Sequence, residues 1–211
     1  MRNYGRLTAG LIAVWFTFSF TASALHLFST NPGAPPLPLL LAVGIPIALF
    51  VLWYSSSPSF RDFVLSLNPS TLTIVQAWRT AGFAFLVLYT YRILPGLFAL
   101  PAGWGDMVIG ATAVPVALKL ANAEYRKSFI VWQLLGMTDL VTALSTGALA
   151  QFVTPHGVST APMTVLPLSL IPTFAVPLLM ILHIISIAQA TRWPEKVNAV
   201  APASSLAAST L

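Results

Sequence analysis

The chain has 211 residues, of which 57% are hydrophobic and only 7% are charged, whereas an ordinary soluble domain is roughly 25% charged. This small number of charged side chains cannot cover a water-facing surface. The composition therefore excludes an ordinary soluble domain and predicts an integral membrane protein. The formal net charge of +5 belongs to basic residues at the ends of apolar stretches, which indicates orientation rather than a nucleic-acid partner, and the lack of cysteine excludes disulfides and thiolate metal sites.

A search for apolar stretches of roughly 20 residues, the length that crosses a bilayer as a helix, gives six candidate spans. In chain order they cover residues 7–28, 36–54, 71–91, 106–121, 129–149 and 163–190. The fourth would span only about 24 Å, so we expect it to begin inside the membrane as a continuation of the segment 97–105. The alternative is that this segment is re-entrant. The sequence therefore predicts an all-α membrane protein, a bundle of about six transmembrane helices forming a single domain over residues 1–196.

Two segments outside the spans have their own character. Residues 55–70 carry apolar side chains at helical spacing from Phe60 onward, beside Arg61 and Asp62. This amphipathic pattern predicts a short interfacial helix between the second and third spans, along the inner membrane surface. Residues 197–211 are rich in Ala and Ser, which predicts a disordered cytoplasmic tail.

The basic residues predict the orientation. With the N-terminus inside, most of them fall at cytoplasmic ends of spans: Arg2, Arg6, Arg61, Lys119, Arg126, Lys127, Arg192 and Lys196. The two exceptions are Arg92, which falls outside, and Arg79, which lies within a span. This distribution and the even number of spans predict that both termini are cytoplasmic. A cleaved signal peptide with small residues at 22–24 is the alternative for the first span, but the apolar stretch continues to Phe28.

Five polar residues inside the predicted spans form the candidate site, because an ionisable group at mid-membrane costs about 2.5 to 3.5 kcal/mol. Arg79 lies roughly 12 Å from the inner end of the third span, with Gln76 one turn before it on the same face. His183 lies roughly 10 Å from the inner end of the sixth span, so we expect it at the depth of Arg79. Asp139 falls near the middle of the fifth span, and Asp106 begins the fourth span on the outer side.

Both aspartates lie on faces where glycine or alanine recurs at helical spacing. Such faces let transmembrane helices approach closely, so we expect both carboxylates to point into the bundle. Two interpretations stay open. In a structural one, Arg79 neutralises one aspartate and His183 or Gln76 caps the remaining polar groups. In a functional one, a polar ladder runs from Asp106 through Asp139 to Arg79 and His183, and carries protons or binds a polar substrate.

The sixth span is predicted to be broken. Its prolines recur every five residues, at positions 162, 167, 172 and 177. Each interior proline frees a carbonyl of the preceding turn and bends the helix. The hydroxyls of Ser169 and Thr173 can accommodate freed backbone groups, and broken helices of this kind line substrate sites in transporters.

The histidines do not support a cofactor, and none is predicted. A bis-histidine haem needs two imidazoles on opposite faces of its macrocycle, but His26 lies near the outer end of the first span and His183 near the inner end of the sixth. A haem on a single histidine, or one shared by two copies of His183, stays an alternative. Trp104 and Trp132 are interpreted as anchors at opposite membrane boundaries. The sequence contains no motif for nucleotide binding or zinc hydrolysis, so no metal site is predicted.

Three blocks of sequence resemble a family of small, uncharacterised bacterial integral membrane proteins. They are RTAGFAFLVLYTYRILPGLFALPAGWGDMVIGATA (79–113), WQLLGMTDLVTALSTG (132–147) and LPLSLIPTFAVPLLMILH (166–183). The resemblance covers roughly half of the chain and includes Arg79, Asp106, Asp139 and His183. It implies a multi-pass protein of the bacterial inner membrane and implies no substrate.

Three functions are compatible with these residues. The first is a small permease or proton-linked carrier of an unknown small solute, expected to be a homo-oligomer because six helices in 22.6 kDa rarely enclose a pathway alone. The second is an intramembrane enzyme acting on a lipid or isoprenoid, with Asp106 or Asp139 as general acid. The third is a noncatalytic membrane subunit or b-type haem anchor. We favour the first because it accounts for both the polar ladder and the broken sixth span.

Overall fold

The computed structural model describes residues 4–30, 34–153 and 157–194. These residues are all-helical and form seven helices, which are α1 (Tyr4–Ala24), α2 (Leu37–Ser56), α3 (Pro58–Leu65), α4 (Pro69–Thr90), α5 (Gly96–Lys119), α6 (Ala123–Val153) and α7 (Ile171–Ala190). All except α3 are long and apolar enough to cross a bilayer. This confirms the predicted all-α architecture with six spans. The predicted tail at 197–211 lies outside the described residues.

Helix α5 differs from the fourth predicted span because it begins earlier. It is one continuous helix of 24 residues from Gly96, so the segment 97–105 is helical rather than re-entrant. Pro101 costs α5 a backbone hydrogen bond, but Phe98 and Ala102 on either side of it are buried against neighbouring helices. Packing thus overrides the local break, and Asp106 lies near the middle of the helix instead of at its outer end.

Helices α4 and α7 depart from regular α-helical geometry. Residues Gln76–Gly82 of α4 form a 3₁₀ helix between two α-helical segments, and Ile171–Ala175 of α7 form a π-helical turn. The predicted span 163–190 is therefore broken, because its first residues form a separate 3₁₀ turn, Ala161–Thr164. Short 3₁₀ and π segments inside longer helices are frequent at functional sites.

The break in α7 provides the attachment point for α1. Pro177 has no amide hydrogen, so the carbonyl of Thr173, one turn earlier, loses its helical partner. The side chains of Trp15 (Nε1) and Ser19 (Oγ) both donate to this carbonyl, each at 3.2 Å. A group that lipid cannot satisfy is thus satisfied by a neighbouring helix.

One end of the bundle gathers most of the described basic residues, and we call it the basic end. It carries Arg6, Arg61, Lys119, Arg126, Lys127 and Arg192. The start of α6 and the end of α7 meet there, because Arg126 donates to the carbonyls of Thr191 and Trp193. The start of α1 joins them through Tyr4, whose ring stacks on Phe63. The structure therefore groups these residues as the orientation argument expects, and the cytoplasmic assignment of this end stays a prediction.

Helix α3, the predicted short helix, packs on the basic end. Phe60 and Val64 are buried, and the ring of Phe60 stacks on that of Trp53 with centroids 3.8 Å apart. The final carbonyls of a helix have no partner of their own. Gln189 at the end of α7 donates to three carbonyls in this region, the shortest bond being 2.7 Å to Leu67. The side chain of Gln189 thus caps α3.

Burial is concentrated in the central helices. Half of the span in α7 and 39% of the span in α5 are buried, against 6% in α2. Apolar clusters lie on either side of the bundle centre, one around Phe85 and Phe98 and one around Ile109 and Phe129 toward the basic end. Between them lie the polar side chains described next.

Candidate functional site

Arg79 joins three helices at the centre of the bundle. Its side chain is buried within the 3₁₀ stretch of α4. Nε donates to Oδ1 of Asp106 on α5 at 2.7 Å, and Nη2 donates to Oδ2 of Asp139 on α6. One guanidinium thus bridges two carboxylates on different helices, an arrangement that its planar fork of donors suits well.

The remaining donors of Arg79 face α6 and α7. Nη1 donates to the carbonyl of Gly136 at 3.1 Å and lies 3.3 Å from Nε2 of His183. The other ring nitrogen, Nδ1, lies 2.5 Å from Oε1 of Gln133, whose Nε2 donates to Thr73. Because Oε1 accepts, Nδ1 of His183 carries a proton and Nε2 accepts from Arg79. His183 is therefore a neutral link in this chain of hydrogen bonds.

Gln76 lies beside this network without joining it. Its Nε2 donates to the carbonyl of Leu179 on α7 at 3.2 Å, which bonds α4 directly to the α7 backbone. Its Oε1 is buried and accepts no hydrogen bond from the described residues. The structure thus brings Arg79, Asp106, Asp139 and His183 together, and it places Gln76 on a separate contact.

The four residues form a single cluster, which we call the Arg79 cluster, and not a ladder. Asp106 was expected at the outer end of its span, but it lies at the level of Arg79 because α5 starts at Gly96. Asp139, near the middle of α6, reaches the same guanidinium. The polar groups therefore lie at one depth and do not extend across the membrane.

Glycines make room for the cluster. A β-carbon at Gly105 would collide with the carboxylate of Asp139, and one at Gly136 would collide with the ring of His183. A β-carbon at Gly82 would likewise meet the side chain of Asp106. The small residues on α5 and α6 therefore do more than bring two helices together, because they leave the space that the charged groups occupy.

The charges in the cluster do not balance. Two carboxylates share a single guanidinium, so with both ionised and His183 neutral the cluster carries an excess negative charge. Arg79 is 1% exposed, while the side chains of Asp106 and Asp139 are 16% and 14% exposed. A proton or another monovalent cation would neutralise the cluster, and the carboxylates are its most accessible atoms. Uptake and release of a cation is the chemistry that this arrangement permits.

Three neighbours of the cluster were not predicted as site residues. Gln133 and Thr73 continue the hydrogen-bond chain from His183. Trp132, interpreted as a boundary anchor, is instead buried, with its ring 5.9 Å from that of His183 and its Nε1 bonded to Thr112. Gln133 has a usable signal, since it lies one turn before Gly136 on the face that carries the site.

The cluster does not suit a haem. Both ring nitrogens of His183 are engaged by protein groups, so an iron would have to displace Arg79 or Gln133. His26 follows the end of α1 that lies away from the basic end. Within the described parts of the chain, no group of three His, Cys, Asp or Glu side chains could hold a metal ion.

Residues 36–191 match a family defined as a domain of unknown function, DUF8737, and the chain belongs to that family. The match runs from just before α2 to just after α7, so it contains the entire Arg79 cluster and leaves α1 outside. It also contains the three sequence blocks quoted above. No curated protein and no solved structure matches the chain. The chain is thus a polytopic membrane protein whose family carries no assigned activity.

Proposed function

We propose that this member of the DUF8737 family is a small permease or proton-linked carrier. The observation that supports this function is the charge imbalance at the centre of the bundle, where Asp106 and Asp139 share Arg79. A buried excess charge is costly in a bilayer unless a cation neutralises it. A carrier uses such a site because binding and release of the cation can be coupled to a change in conformation.

The helices around the cluster favour a site that moves. Arg79 lies on the 3₁₀ stretch of α4, and the α7 helix that carries His183 begins with a π-helical turn. Helices interrupted in this way surround the central sites of secondary transporters. Protonation of one aspartate would leave Arg79 paired with the other, which changes the bonding between α4, α5 and α6 without stranding the arginine.

The same geometry disfavours an intramembrane enzyme. A general acid must reach the proton acceptor of its substrate, but Asp106 and Asp139 each bond to Arg79.

A noncatalytic structural role is the second candidate, and one observation favours it. The charged groups of the cluster all bond to one another or to the backbone. Such a network can fix the packing of four helices without moving. This role predicts that neutralising an aspartate changes stability and nothing else.

Proton flux into liposomes separates the two candidates. Proteoliposomes loaded with a pH-sensitive dye would be given a potassium diffusion potential, alone and with a panel of small amines, carboxylates and sugars. A carrier predicts flux in the wild type that is lost in Asp139→Asn and kept in Asp62→Asn, a matched change at an exposed position on α3. Equal flux in both variants, or none in the wild type under any condition, would overturn the proposal.

Two further expectations accompany this function. We expect the carrier to be a homo-oligomer in the bacterial inner membrane, with the basic end in the cytoplasm. Light scattering of the detergent-purified protein measures the oligomeric state. A reporter that is active only in the cytoplasm, fused after α7, tests the orientation of the basic end.

A further inference from the structure

A chain of hydrogen bonds leads from the Arg79 cluster toward the basic end. Nη1 of Arg79 lies 3.3 Å from Nε2 of His183, and Nδ1 of His183 lies 2.5 Å from Oε1 of Gln133. Nε2 of Gln133 donates to Oγ1 of Thr73 at 3.2 Å, and this hydroxyl donates to the carbonyl of Pro69 at 2.8 Å. Pro69 begins α4 just after the end of α3, so the chain ends beside the helix that packs on the basic end.

Arg79 alone sets the direction of this chain. A guanidinium donates through its N–H groups and has no lone pair with which to accept. Nε2 of His183 must therefore accept, and a neutral imidazole that accepts at Nε2 carries its proton on Nδ1. Gln133 must then turn its oxygen toward the ring, which leaves its amide nitrogen to donate to Thr73. The tautomer of the histidine and the orientation of the amide thus follow from one residue.

The chain cannot carry a proton. Transfer along hydrogen bonds requires each member to accept a proton on one side and to release one on the other. Arg79 cannot do this because it is not deprotonated in proteins, and the carbonyl at the other end has no proton to give. Protonation of His183 is also disfavoured, because its second N–H and its positive charge would face the guanidinium. The two carboxylates bond to other nitrogens of Arg79 and not to the ring.

The packing around His183 keeps its ring in this orientation. The side chains of His183, Gln133 and Thr73 are fully buried. The ring lies against Gly136, where a β-carbon would collide with it, and its centroid is 5.9 Å from that of Trp132. The two aspartates are by contrast partly exposed, and each bonds the guanidinium through one oxygen. The accessible atoms of the cluster that can bind a proton are therefore carboxylate oxygens.

We infer that His183 is a positioning residue of the carrier, which holds the guanidinium of Arg79 between the two aspartates and takes no part in proton transfer. Gln133 and Thr73 act through His183, because they keep Nε2 of its ring turned toward Arg79. The inference rests on the proposed function and deepens it. It assigns proton binding to the aspartate pair alone and leaves no proton path along the chain toward the basic end.

Two substitutions of His183 separate a positioning residue from a proton carrier in the liposome flux assay. His183→Leu offers no acceptor to Arg79, so flux should fall at least about tenfold, the scale expected for a lost hydrogen bond to a charged group. His183→Gln cannot take up a proton, but its amide offers an oxygen to Arg79 and an N–H to Gln133. It should therefore restore at least about tenfold more flux than His183→Leu, whereas a proton-carrying histidine predicts equal loss in both.

Nuclear magnetic resonance tests the direction of the chain without transport. Full-length protein labelled with ¹⁵N in its histidines would be studied in nanodiscs at neutral pH, and the signals missing in His183→Gln belong to His183. We expect a neutral ring with its proton on Nδ1. Gln133→Met removes the acceptor, so the Nδ1 proton signal should move upfield. Gln133→Glu, as a neutral acid, offers the same acceptor and donor and should restore the signal.

The matched control is Gln151→Met, because Gln151 also lies on α6 but bonds to Thr160, away from the cluster. It should leave the His183 signals unchanged. Circular dichroism and elution volume verify that each variant is folded. If His183→Leu does not fold, the wild-type tautomer and the two Gln133 variants still test the inference.

Several outcomes would overturn the inference. A proton on Nε2, or an imidazolium at neutral pH, would refute the direction of the chain. Equal loss of flux in folded His183→Gln and His183→Leu would make the histidine a proton carrier. Full flux in both variants would mean that Arg79 does not need an acceptor at this position.

Failure of the inference is separable from failure of the proposed function. Proton flux that depends on Asp139, together with a reversed tautomer of His183, would keep the carrier and refute the positioning role. The expected tautomer without flux in the wild type would keep the direction of the chain and refute the carrier.

Discussion

The seam between α5 and α6 and the peripheral pair α1 and α2 follow opposite rules of packing. Helix α2 is the more apolar by mean hydropathy, yet 6% of its span is buried against 39% in α5. In water this order would be reversed, because apolar side chains would be driven inside. Lipid solvates apolar side chains as well as a protein interior does. Helices therefore associate where small residues allow close packing and where polar groups form bonds between helices. The charged cluster and the lipid-facing surface are two results of that single rule.

Removing the central positive charge should cause the largest loss of stability. Arg79→Met leaves Asp106 and Asp139 without their shared partner, and loss of one member of a buried ion pair costs about 3 to 5 kcal/mol. Unfolding in increasing denaturant should show a loss of that size.

The matched control for this substitution is Arg92→Met, because Arg92 is exposed at the opposite end of the bundle from the basic end. It should change stability by less than about 0.5 kcal/mol. An Arg79→Met variant as stable as this control would show that the carboxylates do not depend on the arginine.

The next largest difference in stability is expected between glycine substitutions on α6 and on α2. Gly136→Ala forces a methyl group against the ring of His183, and overpacking of this kind costs about 1 to 3 kcal/mol. Gly44→Ala on α2 meets no atom within 4 Å, so it should be neutral or stabilise the helix by up to about 1 kcal/mol. Thermal unfolding of the two variants side by side measures the difference. Equal losses would mean that glycine serves the same purpose in both regions.

The smallest effect is expected where α1 is attached to α7. Ser19→Ala removes a hydrogen bond to the carbonyl of Thr173, and such bonds in membranes contribute about 0.6 kcal/mol on average. Because Trp15 still donates to this carbonyl, the loss should stay near that value. Hydrogen exchange should accelerate in α1 and stay unchanged in α5.

The double variant Trp15→Phe with Ser19→Ala leaves the Thr173 carbonyl unsatisfied and should cost more than the two single changes added together. Ser56→Ala, at an exposed position where the hydroxyl bonds within its own helix, provides the control. A double variant with unchanged exchange in α1 would show that apolar contacts alone hold this helix.

Much of the candidate site could be predicted because charge is rare in this chain. With 7% charged residues, Arg79, Asp139 and His183 stand out in apolar sequence, and the small residues beside them indicate which way they face. The depth of Asp106 could not be predicted, because Pro101 looks like a break and only the burial of Phe98 and Ala102 keeps α5 continuous. The prediction for Trp132 was wrong for a related reason. An aromatic residue near a predicted membrane boundary is interpreted as an interface anchor, and only the tertiary structure shows that Trp132 is buried beside His183.

The sequence by itself determined that the chain crosses a bilayer in six helices and that its basic residues gather at one end, because span length and charge placement are local properties set by the thickness and polarity of the membrane. Only the tertiary structure decided that Arg79 bridges two aspartates and that glycines hold the space for them. These features depend on how the helices rotate and slide against one another, and in lipid that is set by contacts between residues far apart in the chain.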